Sequence, residues 1–371
     1  MSLMRTIRTF AAGARSLFLV PARLTCWGQD SRSPFHSLAR KSLNSKQACQ
    51  PPMRVKTSTC HRGVPSVQMA FTLDDLPVFP HMPLPDGDTP KSVASRIIDA
   101  LDRNRVEGVF ALANSWPLDV DPEYARILDD WLAAGHHIGN HTHTHPLLNE
   151  TSAEDFNHDI SVADDLLAPW ISKAPLRAFR HPLELWGNTK EKLVAVNAHL
   201  DRLAYRSAGV TSWFYEWEWD RASRHLLQTG RTEEAEHLKA EFVDYAAAQV
   251  AHDAKTCRAV FGHEVIGIGL IHPVAFFTEV ADAFFARLFA EGVAFVPLSE
   301  ALDDPAYLRA GTIVTDAFQV HQIKIAAADG RALDAVPSTH KALIERVFEL
   351  GTPLRPSRRG MLVQNMRARV T

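Results

Sequence analysis

The chain has 371 residues, 46% hydrophobic and 22% charged, which is room for one large domain or two small ones with a sizeable core. Its formal charge of −3 conceals a gradient: residues 1–66 carry eleven Lys and Arg against one acid, Asp30, and residues 351–371 carry five Arg and no acid. The 24 basic and 42 acidic residues between them make an acidic body, which excludes ordinary phosphate-driven nucleic-acid binding, and no apolar run reaches the roughly 18 residues of a transmembrane span.

Residues 1–66 mix Arg, Ser, Pro and Ala with little periodicity and read as a basic leader or disordered arm. The apolar patch Ser16–Ala22 is short for a secretory signal, the acid-poor composition also suits an organellar transit peptide, and an over-extended start accounts for it equally well. These three readings stay open. Cys26, Cys49 and Cys60 lie in this arm and only Cys257 in the body, so no disulfide staples the fold and no Cys-x-x-Cys metal spacing exists.

From Val67 the pattern is regular. Val67–Leu73 is a strand that runs into Asp74-Asp75, and Val93, Ile97, Ile98 and Leu101 share one helical face. Gly108–Ala113 reads as a buried strand. A helix begins at Pro122, presents Tyr124, Ile127, Leu128, Trp131 and Leu132, and stops at Gly135. His136–Asn140 and Leu176–Arg180 are strands, Thr189–His199 a helix, and Val210–Phe214 a strand. Residues 232–254 are helical, Ile266–Ile271 a strand, Glu279–Glu291 a helix and Val293–Leu298 a strand. Strands alternating with helices imply an α/β fold with a parallel sheet, and six or seven units in this length favour a distorted (β/α) barrel of about seven parallel strands as a single main domain. After Asp304-Pro305 the pattern weakens, so residues 308–371 read as an appendage with a helix near His340–Leu350 and a basic tail.

In such a fold reactive groups gather at the carboxyl ends of the strands. Asp74-Asp75, His141–His145, Arg180 and His272 each end a different strand and are expected to meet on one rim. Taken singly each has a bland reading: a turn or cap for the Asp pair, an ion pair for Arg180, a hydrogen-bonded core residue for His272.

Their order resembles that of the polysaccharide deacetylase family (NodB homology, carbohydrate esterase family 4), over residues 67–307. The motifs that carry the resemblance are Phe71-Thr72-Leu73-Asp74-Asp75, Gly135-His136-His137-Ile138-Gly139-Asn140-His141-Thr142-His143-Thr144-His145, Arg180-His181-Pro182-Leu183 and Leu270-Ile271-His272. The resemblance implies a metal-dependent hydrolase of carbon–nitrogen bonds that removes N-acetyl groups from an amino-sugar polymer or glycan. It implies Asp75, His141 and His145 as ligands of one divalent ion, Asp74 as general base, Arg180 as the group orienting that base, and His272 as the acid for the leaving amine. The backbone N–H of Leu183 would help hold the oxyanion. Two imidazoles and a carboxylate favour zinc and leave positions open for water and a carbonyl oxygen.

The sequence also departs from the family. Leu183 stands where an aromatic residue is common, and the nearest counterpart of an Asp-Trp pair is Glu216-Trp217, read either as support for His272 and part of a sugar-stacking groove or as a helix or loop packed by Trp217 and Trp219. A non-sugar amide hydrolase on the same metal site and a non-catalytic glycan- or metal-binding relative are the alternative functions. The expected partner is an N-acetylated glycan, and the expected location is secreted or periplasmic. In His141-Thr142-His143-Thr144-His145 a turn entering a helix would pair His141 with His145, leaving His143 a bystander.

Overall fold

The computed structural model describes residues 67–351. The basic leader and tail read above lie outside the described residues. Eight short strands form one sheet: β1 (Gln68–Leu76), β2 (Phe110–Ala113), β3 (His137–Asn140), β4 (Ala178–Phe179), β5 (Arg206–Ser207), β6 (Ser212–Trp213), β7 (Gly267–Ile271) and β8 (Ala294–Phe295). Seven run in the order β5-β4-β3-β2-β1-β7-β6, every pairing is parallel, and β8 pairs with the first two residues of β1. The sheet is therefore the distorted, incompletely closed α/β barrel that the alternation implied.

Its helices are α1 (Pro90–Arg103), α2 (Ala125–Ala133), α3 (Ala153–Ile171), α4 (Lys190–Arg202), α5 (Glu216–Gln228), α6 (Thr232–Phe261), α7 (Ala275–Ala290), α8 (His321–Ala328) and α9 (Ser338–Leu350), with shorter turns between them. Helix α1 starts where Thr89 and Ser92 cap each other reciprocally, and it buries Val93, Ala94, Ile97, Ala100 and Leu101, the expected face. Helix α3 was not expected. Its signals were present: Ser152 caps it through the Asp155 N–H, and Phe156, Ile160, Ala163, Leu167 and Trp170 recur at helical spacing.

Two tight contacts set the sheet's shape. A Cβ on Gly139 would come within 2.6 Å of Leu112 Cδ1 and 2.8 Å of the Ala178 carbonyl, so β3 can lie between β2 and β4 only with glycine there. On the other side Phe71 points out of β1 into Phe277, Phe284, Phe285 and Phe295, with ring centroids 5.1–6.2 Å away. Truncating so buried a ring would cost about 3–5 kcal/mol.

Strands β5 and β6 end the sheet without pairing to each other, and residues after Tyr307 cover that gap. The N–H of His321 donates to the Val210 carbonyl at 2.7 Å, and Gln322 Nε2 donates to the Thr211 carbonyl at 2.8 Å. His321 and Gln322 are both fully buried, and a Cβ on Gly209 would meet His321 Nδ1 at 2.8 Å. Helix α9 covers α5 through Phe348, whose ring packs on Tyr215 at 5.6 Å.

Candidate functional site

The carboxyl ends of β1, β3, β4 and β7 bring the expected residues to one rim. At the end of β1 the register slips between Asp74 and Leu76, and Asp75 has φ +61. Successive residues of a regular strand face opposite ways. The irregularity instead turns both carboxylates toward His141, whose Nε2 lies 3.7 Å from Asp74 Oδ2 and 3.7 Å from Asp75 Oδ1.

Beyond β3 the chain does not enter a helix. Thr142 (φ +71) and His145 (φ +58) are both left-handed, and their turn sets the His141 and His145 rings 4.9 Å apart. Asn140 accepts the Thr142 N–H at 2.7 Å, and Asp159 of α3 accepts the N–H groups of His143 and Thr144 at 2.7 and 2.9 Å. The pair expected from a helical turn is thus made by a pinned loop. His143 points elsewhere: its Nδ1 is 2.8 Å from Ser115 Oγ and its Nε2 is 3.4 Å from Asp119.

His145 Nε2 also lies 3.7 Å from Asp75 Oδ1. That oxygen is buried with no hydrogen-bond partner, although it faces two imidazoles. His141 Nδ1 is 2.8 Å from the Arg180 carbonyl, which fixes the proton on Nδ1 and leaves the Nε2 lone pair directed at the carboxylates. Asp75, His145 and one residue not expected, His81 in the β1–α1 loop, each bring a ligand atom within 4.8 Å of the others. His81 lies in a proline-rich run with no periodicity, so only its residue type marked it.

Arg180 follows β4 and is buried. Its Nη1 donates to Asp74 Oδ1 at 2.6 Å and to Thr72 Oγ1 at 2.9 Å, while Nε donates to the Ala208 carbonyl at 2.9 Å. Burial pushes the Asp74 carboxyl up to about 7, against the opposing pull of Arg180 and His272. Burial also opposes ionisation of Asp75, but His145, His141, His272 and His81 together hold it below the ordinary carboxylate range. Desolvation drives His141 down to about 3, so it is neutral.

His272 ends β7, and its Nδ1 is 2.7 Å from Glu216 Oε1, at the start of α5. Glu216 is wholly buried and also accepts the His272 N–H, so its carboxylate faces the imidazole. Burial works against the charged imidazole, yet Glu216, Asp75 and Asp74 raise it above its ordinary value. His272 Nε2 lies 4.0 Å from Asp75 Oδ2, and Trp217 packs edge-on against the ring at 5.0 Å. Leu183 is half-buried in a left-handed conformation (φ +51) in the turn after Arg180.

The chain thus gathers paired carboxylates, paired imidazoles, a buried arginine and a supported histidine at one rim of an α/β barrel. Over residues 62–200 it matches the polysaccharide deacetylase family, in agreement with the resemblance read from its motifs. It is 28% identical over 126 residues to the chitooligosaccharide deacetylase of Sinorhizobium fredii, an overlap of 34% of this chain and 50% of that protein. The chain thus spans about half the length of that curated relative. Among solved structures, it is similar to a family 4 carbohydrate esterase from Streptomyces lividans in complex with acetate, at 14% identity and a TM-score of 0.41, over 63% of this chain and 95% of that one. It is also similar to a family 4 pseudoenzyme from Bacillus anthracis, at 16% identity and a TM-score of 0.42, over 64% and 66% of the two chains. Glu216 and His272 lie beyond the matched residues, and it is the fold that brings them to the rim.

Proposed function

We propose that this protein is a hydrolase that removes N-acetyl groups from an amino-sugar polymer or glycan, with one divalent cation held by Asp75, His141 and His145. The observation that carries this reading is the unpartnered, buried Asp75 Oδ1 facing two imidazole Nε2 atoms at 3.7 Å, one of them fixed as a lone-pair donor. A buried carboxylate oxygen without a donor is costly unless something else satisfies it, and a cation does so. Two nitrogens and a carboxylate suit zinc, which when bound supplies Lewis acidity toward the amide oxygen and a lowered water pKa.

The chain's own groups divide the rest of the work. Arg180 holds Asp74 Oδ1, leaving Oδ2 on the His141 side to take the proton of the attacking water. His272 is held by Glu216 through Nδ1, so its Nε2 is the atom that gives a proton to the departing amine nitrogen. An amide needs that proton because an amine anion does not leave. The Leu183 N–H is assigned to the oxyanion, and Trp217 beside His272 to a sugar face.

The test is metal analysis combined with acetate release from chitin oligomers, peptidoglycan fragments and small amides. One equivalent of metal, lost in Asp75→Ala and His145→Ala together with acetate release, is the expected result. Full metal content in those variants would overturn the site. Turnover of small amides alone would overturn the substrate class.

A further inference from the structure

The loop between β1 and α1 contains a proline-rich segment, Pro77-Val78-Phe79-Pro80-His81-Met82-Pro83. It is anchored on its C-terminal side. Arg224 donates to the Pro83 carbonyl, and the Asp88 carboxylate takes both arms of Arg96 at 2.8 Å. Ahead of these anchors, Phe79 and His81 join two rim histidines in a chain of four rings across the mouth of the site. His272 packs on Phe79 at 4.9 Å, Phe79 on His81 at 5.3 Å, and His81 on His145 at 5.6 Å. Both ends of this chain are residues of the rim.

His81 is the exposed member of the trio it forms with Asp75 and His145. A ring nitrogen of His81 falls within 4.8 Å of both a carboxylate oxygen and an imidazole nitrogen, and ligands of one ion are separated by about 3–4 Å when metal–nitrogen bonds are near 2 Å. The shift required is small for a side chain on a loop. We propose that His81 is a protein ligand of the cation in the substrate-free protein, making the set Asp75, His81, His141 and His145. This inference rests on the cation site proposed above and extends it. A three-imidazole, one-carboxylate set holds a divalent ion more tightly than two imidazoles and a carboxylate. It also ties the β1–α1 loop, and with it Phe79 against His272, to the loaded state.

Two measurements on the full chain test this, neither of them turnover. In zinc titration against a chelating competitor, His81→Ala is expected to bind about tenfold or more weakly than the parent. With cobalt(II) as the probe, the visible absorption of His81→Ala should change in position and intensity, and added imidazole should shift it back toward the parent spectrum. His81 is exposed, so its removal leaves the core intact, and an unchanged circular dichroism spectrum verifies that. Parent-like affinity and spectrum in His81→Ala, with metal lost in His145→Ala, would overturn this inference and leave the proposed site standing. Metal retained in both His145→Ala and Asp75→Ala would overturn both.

Discussion

Two buried groups of charge lie on either side of the Arg180 guanidinium. On one side are Asp74, Asp75, His141 and His145; on the other are Glu184, Lys324 and Trp186. In the second group both carboxylate oxygens of Glu184 have donors: Val210 N–H at 3.3 Å to Oε1, and Trp186 Nε1 at 3.0 Å with Lys324 Nζ at 3.4 Å to Oε2. Lys324 also donates to the Glu184 carbonyl and stacks over Trp186 at 4.0 Å. Burial lowers its ammonium to about 8, and Glu184 limits the fall. In the first group Asp74, Asp75 and His141 are as deeply buried and His145 half-buried, yet Asp75 Oδ1 is left without a partner. A buried polar group that is fully paired holds structure together, whereas one kept incomplete at the end of four strands is a place for a ligand. Lys324 also bears on the rim. By satisfying Glu184, whose Oε1 is 3.9 Å from Arg180 Nε, it leaves the Arg180 charge to Asp74.

That contrast is open to attack from either side. Asp74→Asn keeps the shape of the residue and removes the proposed base. Acetate release should fall by about 10²–10⁴-fold, with the fold retained by circular dichroism. Activity within a few-fold of the parent would remove Asp74 from that role. In the paired group, Lys324→Met strands the Glu184 carboxylate and should cost about 3–5 kcal/mol in denaturant unfolding. The double variant Glu184→Gln/Lys324→Met should recover part of that loss, because no lone charge remains buried. Strict additivity would mean that the two side chains do not act as a pair.

The two groups also differed in how much the sequence disclosed. Asp74, Asp75, His141, His145, Arg180 and His272 sit in short runs at predicted strand ends, so topology alone required them to converge. Glu184 and Lys324 are 140 residues apart and carry no local pattern, and their pairing depends on how α8 seats in the gap between β5 and β6. Strand β5 is two residues long, too short for alternation to register. The left-handed turns at Asp75, Thr142, His145 and Leu183 occur at non-glycine residues, where composition gives no warning of positive φ. The pairing of His141 with His145 was therefore legible from the motif, while the means of achieving it was not.

Asp253 offers a pH-dependent version of the comparison, away from the rim. It is buried on α6 and accepts from Gln249 Nε2 at 2.9 Å and Gln322 Nε2 at 3.2 Å, and burial raises it to about 7. A carboxyl whose pKa is higher folded than unfolded contributes stability below its unfolded value near 3.8, and that contribution is lost as pH rises through about 7. The parent should therefore lose stability relative to Asp253→Asn between pH 4 and pH 7. A difference that does not vary with pH would show that Asp253 is ionised at an ordinary value in the fold.

The smallest expected effect concerns the third histidine of the run. His143 shares its loop with two proposed ligands, but its ring binds Ser115 and approaches Asp119, and its N–H is taken by Asp159. Its backbone anchors the turn while its side chain meets Ser115 and Asp119 in the segment after β2. His143→Ala should keep one equivalent of metal and parent-like zinc affinity, and lose about 1 kcal/mol of stability, the usual worth of one side-chain hydrogen bond. Loss of metal with the fold intact would place His143 in the unsatisfied group at the rim and would break the division drawn here, since a residue with its own partners would then also be serving the ligand site.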